Sequence, residues 1–364
     1  MSITRSMLQA AAGGDKLYVY VADYGASAIL TVDVTDPTSP SVVATLSDGT
    51  DLNQVNYLGI DLTNNVLMAA MNTGRRVAAI DVNSPESLSI SDAFVFPNGT
   101  FDKHMGSMGL DTANQYAFLA ANNNNLQALD YSTPTNLSTA GSYSGSTHAD
   151  RTRATMYVSS SQGDQSGDYV FSLEVDDTQL TCYDVSNIGA ISFERSLNNG
   201  TYVGNGLLSL IYDATNVWMW QGEEDGQITA VDMNANGNGI PSGTWGYNTS
   251  TARSGSTGSS IQGINGNCLA VDESRKYGFT CGTYQVSTWD FSTSGLTKTP
   301  SDKYFNESEF YYGLAYDETN QILYVVENND FYVFDVSDIT NISVLGSING
   351  AFVTGRNCTL GYQP

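Results

Sequence analysis

The sequence predicts an all-β fold, a seven-bladed β-propeller, and two observations predict it. Seven aspartates, Asp33, Asp81, Asp130, Asp184, Asp232, Asp290 and Asp335, each close a short apolar run such as ILTVDV, RVAAIDV, LQALDY or FYVFDV. About eighteen to twenty residues upstream of most of them stands a second aspartate that heads a turn: Asp15, Asp61, Asp111, Asp213, Asp272 and Asp317, with Asp150 further upstream of Asp184. A unit of about 45 to 55 residues with four strand-like segments reads as a propeller blade, not a helical repeat.

Blade one begins at GGDKLYVYVADY and goes straight into its second strand, so its first strand is missing upstream of Asp15. Blades two and three follow as GIDLTNNVLMAAMNTGRRVAAIDV and GLDTANQYAFLAANNNNLQALDY, which align segment by segment. Blades four and five stretch the period with the insertions SSSQGDQSGDYVFSLEV and NANGNGIPSGTWGYNTSTARSGSTGSSIQ, and blade six opens on GNCLAVD. Blade seven shows the unit most plainly: YYGLAYD, the turn ETNQ, ILYVVEN, the turn NND, FYVFDV, the link SDITN, and ISVLGSI. Its segments are short, rich in β-branched and aromatic residues, and bounded by Asn, Asp, Gly or Ser, as half-buried strands are. The last segment, GRNCTLGYQP, resembles the opening of blade six. Residues near Asn357 to Tyr362 are therefore expected to pair into blade one as its missing strand and close the ring, leaving no sheet edge open there.

The repeated aspartates read as turn makers. A carboxylate at a strand end accepts N–H bonds from the residues just after it and so shapes the turn. Proline in DVTDPTSP, DVNSPESL and DYSTPTNL ends pairing where an outer strand must begin.

The propeller takes residues 15–364 and leaves 1–14 as a separate leader. Ser2 or Thr4 can cap a helix of about ten residues there, with Ile3, Met7, Leu8 and Ala11 along one side and Gly13 and Gly14 ending it. So short a helix is marginal alone, and the leader is expected to be helical or extended and to gain order by docking on a partner, the other reading being a disordered start without a role.

The chain has 364 residues, with 14 Lys plus Arg against 38 Asp plus Glu and a net charge of −24. That balance repels phosphate backbones and anionic lipid, so neither nucleic-acid binding nor membrane insertion is expected. The start lacks the layout of a secretory signal, so the protein is expected to be made and retained in the cytosol or to leave only by cell lysis. Cys182, Cys268, Cys281 and Cys358 lie in strand-like runs without metal spacing and read as buried free thiols, although Cys268 and Cys281 fall on adjacent strands where a cross-strand disulfide would also fit.

Asp232, Asn234 and Asn236 precede Gly237 with the alternate spacing of a calcium loop, but Gly243 stands where the closing acid belongs, so an Asn/Gly-rich turn is the simpler reading and no cofactor is expected. His104 and His148 form no catalytic set, and Glu223, Glu224 and Asp225 read as a solvated turn between second and third strands. Without a nucleophile elbow, a phosphate-cradling loop or a His/Glu cluster, the chain reads as no enzyme. Binding is expected on the face that carries the loops between second and third strands and the blade junctions, where residues 160–170 and 249–265 are placed. Trp220, Trp245, Tyr247, Tyr284 and Trp289 are the candidates to stack on a glycan or protein there, each being also an ordinary strand residue.

ILTVDVTDPTSPSVVATL and FYVFDVSDITNISVLGSI resemble the LVIVD-type repeat of seven-bladed propellers, which implies architecture and no particular activity. TRSMLQAAAG is similar to the short leader of structural and tail proteins of marine tailed bacteriophages. That resemblance implies a docking tag, with Arg5, Met7, Leu8 and Gln9 as its matching positions and Ile3 beside them from the apolar side of the leader, joining the propeller to other virion proteins. The function expected on it is a non-enzymatic virion protein of tail or capsid, assembled in the host cytoplasm, with a face open to a host-surface glycan or protein. Two other readings stand beside it: a bacterial LVIVD-type propeller acting as a protein- or glycan-binding module, and a polysaccharide hydrolase or lyase using carboxylates of the exposed face.

Overall fold

The computed structural model describes residues 16–97, 107–121, 125–145, 152–161, 167–174, 179–198, 207–216, 218–223, 227–232, 253–256, 268–293 and 297–363. They form an all-β molecule of seven four-stranded antiparallel sheets, arranged as the blades of a propeller. Blade two is representative. Val55–Asp61, Val66–Met71, Arg76–Asp81 and Ser89–Val95 pair in sequence order from the inside outwards. Its second strand is buried throughout, while its outer strand is half exposed, because the first lies between neighbouring sheets and the other forms the rim.

In sheet one, Gly355–Gln363 pairs antiparallel with Lys16–Asp23, with Tyr20 opposite Thr359 and Val21 opposite Cys358. Blades six and seven share one continuous run, Asp302–Asp317, whose start pairs with the preceding strand of blade six and whose end pairs with Ile322–Glu327 of blade seven.

Seven apolar layers hold the sheets face to face, one between each pair of successive blades. Tyr20, Leu58 and Leu67 belong to the layer between one and two, Met68, Leu119 and Leu129 to that between two and three, and Val19, Val21, Tyr324 and Val326 to that between one and seven. Inner strands approach so closely that Gly109 and Gly313 have no room for a side chain: a Cβ would come within 2.7 Å of the Tyr157 nitrogen and 2.8 Å of the Asn357 Cα. At about 25 cal/mol per Å² of apolar surface, these layers are the main source of stability.

The insertions require two corrections. The described residues 160–161 and 167–168 fall between the first and second strands of blade four, Thr152–Val158 and Tyr169–Glu174, and so lie at the opposite end of the blade from the face expected. Within 249–265, Arg253–Ser256 pairs antiparallel with Gln227–Ala230, so this part of the segment is the outer strand of blade five, not a loop. The leader positions Ile3, Arg5, Met7, Leu8 and Gln9 lie outside the described residues, as do His104, His148 and Asp150.

Candidate functional site

The aspartate turns define one end of the molecule. Where an inner strand ends, Asp61 Oδ1 accepts the Asn64 N–H at 3.1 Å and Oδ2 the Asn64 amide at 2.8 Å. Asp111 with Asn114, Asp213 with Asn216 and Asp317 with Asn320 repeat both bonds. In blade six Arg275 takes the place of asparagine and gives Asp272 its backbone N–H at 2.8 Å and its Nε at 2.6 Å. The next residue turns left-handed in the blades where it is described: Asn65, Gln115, Lys276 and Gln321 have φ between 54° and 60°. Its carbonyl then accepts the N–H that follows the second repeat aspartate, as in Val82 to Asn65 and Phe291 to Lys276. Asp33, Asp81, Asp130, Asp184, Asp290 and Asp335 each accept the N–H two residues on. These carboxylates are therefore occupied with their own turns.

Burial adds cross-blade bonds at the inner turns. Tyr131 of blade three donates its hydroxyl to Asp61 of blade two at 3.1 Å. Tyr316 of blade seven donates to Asp272 of blade six at 2.7 Å and accepts from Arg275 Nη2 at 2.9 Å. Burial of Asp272 would raise its pKa, but the bonds from Tyr316, Arg275 and Ser274 together outweigh that and hold the carboxyl below its ordinary value. Burial raises Tyr316 in turn, and its bond to Asp272 adds to the effect.

At this end the centre of the ring opens into a cavity of about 370 Å³. Its walls are aliphatic, with Ile60, Ile211, Leu269, Leu314 and Leu360 contributed by the inner strands of five different blades. Its polar part consists of Asp61, Thr63, Thr112, Thr359 and the glutamates Glu273 and Glu318, which directly follow Asp272 and Asp317. Burial raises the pKa of Glu273, a shift that bonds from Thr215, including its hydroxyl at 2.7 Å, only partly offset. An aliphatic wall with carboxylates around it suits a ligand that has an apolar body and a positive end.

The aromatic candidates do not meet here. Trp220 and Trp289 are 0 % exposed, in the apolar layer between blades five and six, where Trp220 packs edge-on against Phe291 at 4.7 Å and Trp289 Nε1 donates to Thr280 Oγ1 at 2.9 Å. They serve as core, which corrects the expectation that their rings face a ligand: strand alternation turned them inward between the sheets. Tyr284 lies within the run Tyr277–Asp290, its side chain outside the described residues, as are Trp245 and Tyr247 entirely. Asp232 ends the strand Gln227–Asp232, while Asn234 and Asn236 lie outside the described residues. Among the described residues no group of His, Cys, Asp and Glu is placed to hold a metal ion. The cysteines are buried and none is in a disulfide. Burial and the neighbouring Cys268 thiol raise the pKa of Cys281, which keeps that sulfur in the unreactive thiol form.

The sequence did not single out Glu273 and Glu318. The signal was present as an Asp–Glu pair after the inner strands of blades six and seven, in VDES and YDET. Their convergence on one cavity depends on the ring.

The LVIVD repeat family matches residues 14–48, 109–145 and 322–350, which fall in blades one, three and seven. Among solved structures, a Pseudomonas aeruginosa periplasmic gluconolactonase superposes with a TM-score of 0.70 at 13% identity, covering 96% of this chain and 100% of its own. A protein from Lactobacillus plantarum gives the same values, and a putative 6-phosphogluconolactonase from Bacteroides fragilis a TM-score of 0.70 at 10% identity over 95% and 98% of the two chains. A comparison with curated proteins finds no match. At such identities the likeness is one of fold, and this chain is similar to bacterial propellers of that architecture and carries LVIVD repeats on it.

Proposed function

We propose that this protein is a non-enzymatic binding module, an LVIVD-type propeller that takes a basic side chain of a protein partner in the cavity at the end of its central channel. The cavity carries this reading: aliphatic walls from several inner strands, with Glu273 and Glu318 beside them. A lysine or arginine has the matching form, an apolar stem and a cationic head. A glycan fits less well, because it needs stacking faces and many polar partners, and Trp220 and Trp289 are in the core. The reading as a binder rather than an enzyme is supported by the inner aspartates, which are engaged by their own turns.

The C-terminal strand belongs to the same reading as the latch that closes the ring. Gly355–Gln363 pairs with Lys16–Asp23, and Asn357 Oδ1 accepts the Leu58 N–H of blade two at 3.1 Å. It thereby supplies the wall residues Cys358 to Gly361. The leader's docking on virion proteins rests on its sequence resemblance alone.

A displayed library of short peptides tests the reading. The intact protein should enrich Lys- and Arg-bearing peptides, the enrichment should fall as salt rises, and a Glu273→Gln, Glu318→Gln double variant should lose it at least about tenfold. Enrichment indifferent to basic residues or to the double variant would remove the proposal. Hydrolysis of gluconolactone above the uncatalysed rate, sensitive to Glu273→Gln, would replace it with an enzymatic function.

A further inference from the structure

We infer that Arg356 forms an oxyanion site at the other end of the channel strand, one that takes a carboxylate or a phosphate group. Arg356 is the second residue of Gly355–Gln363 and lies about 13 Å along that strand from Leu360 of the cavity wall. Its guanidinium carbon sits 4.3 Å from the ring centroid of Tyr312 in blade seven and 5.1 Å from that of Tyr24 in blade one. Tyr24 is itself fixed: its N–H donates to the Thr354 carbonyl at 2.8 Å, and its hydroxyl accepts the Asn72 amide of blade two at 3.1 Å. Three blades thus set the orientation of this one side chain.

Arg356 is held by aromatic rings and not by an acid. Arg76 is paired with Asp51, and Arg275 with Asp272. Among the described residues Arg356 has no carboxylate within ion-pair distance, and its Nε is buried without an acceptor. In a chain with 38 acidic and 14 basic residues, Arg356 shares the lack of a described acid partner with Arg75, but its guanidinium is flanked by two tyrosine rings. A cation held by aromatic faces uses its π surface and keeps its N–H edge for an acceptor in the guanidinium plane. That edge matches a bidentate oxyanion, whether a carboxylate or a phosphate monoester. Arg356 as a residue is partly exposed, with its Nε on the buried side. The site is independent of the acidic cavity, and each can fail without the other.

The test is thermal unfolding of the intact chain in inorganic phosphate and, separately, in acetate, with sodium chloride holding ionic strength constant. At least one anion should raise the melting temperature saturably, as a ligand of the folded state does, and the anion with the lower half-saturating concentration identifies the group. Arg356→Gln should abolish the shift, and Arg356→Lys, which keeps the charge but not the fork, should raise the half-saturating concentration at least about tenfold. Should the glutamine variant fail to fold, the lysine variant supplies the comparison. No saturable shift with either anion, or a shift unchanged in Arg356→Lys or Arg356→Gln, overturns the site.

Discussion

Each blade can carry two aspartate turns, and the inner and outer turns differ in depth, not in local chemistry. At the inner rim Asp61, Asp213 and Asp317 are 0 % exposed, and Asp111 and Asp272 are 4 % and 1 %. At the outer rim Asp33, Asp81, Asp130, Asp184, Asp290 and Asp335 are half-buried. Both sets accept N–H groups just ahead of them. Both also hold nearby side chains, Asn64 or Arg275 at the inner rim and Asn83 at the outer, but only the inner set adds, at Asp61 and Asp272, a tyrosine from the next blade. Burial therefore turns a turn maker into a coupler of blades, because a buried acceptor that is removed leaves its donors unsatisfied.

The largest break in this comparison is Asp272→Ala. It leaves the Arg275 Nε–H and the Tyr316 hydroxyl proton without their acceptor and the guanidinium without its counter-charge, and urea unfolding should show a loss of about 3 to 5 kcal/mol at pH 7. Linkage sets how that loss depends on pH. The folded pKa of Asp272 lies below the ordinary 3.8, so its stabilisation is complete above that value and is lost as pH falls through the folded pKa. Variant and parent should thus converge in strong acid, and a pH-independent difference would mean that geometry, not charge, carries the effect. Asp81→Ala at the outer rim loses its bonds to Asn83 beside solvent, which can replace them, and should cost about 1 kcal/mol. Equal losses at Asp81 and Asp272 would erase the distinction between the rims.

The smallest expected effect is a gain. Glu273 has a folded pKa above its ordinary 4.5, so the native state holds its proton longer than the unfolded chain does, and ionisation costs stability as pH rises past 4.5. Glu273→Gln removes that cost and should raise the urea midpoint at pH 7. The gain should vanish where the parent carboxyl is protonated, below about pH 4. A gain that persists in acid would assign the effect to packing.

Much of the fold was legible because its signals are local. The Asp-to-Asn spacing in DLTN, DTAN, DATN and DETN writes a turn within four residues, and the alternation of VLMAAM or ILYVVE with polar turns writes a strand. The site was less legible. Trp220 and Trp289 read as exposed candidates, yet the direction of a strand side chain depends on which sheet packs over it. The 160–170 insertion went to the wrong face because an inserted segment can precede or follow the second strand of its blade without changing the period.

The sequence by itself determined where the chain turns and how many blades it makes, since an Asx turn needs only its own next few residues. The tertiary structure alone decided what those turns surround. Leu17 meets Leu360 and Ile60 meets Leu314 around one cavity, and Tyr24 and Tyr312 flank Arg356. These residues lie from tens to hundreds of positions apart, and no local free energy selects their meeting. Burial of the apolar layers between successive sheets does, by fixing the ring in which they converge.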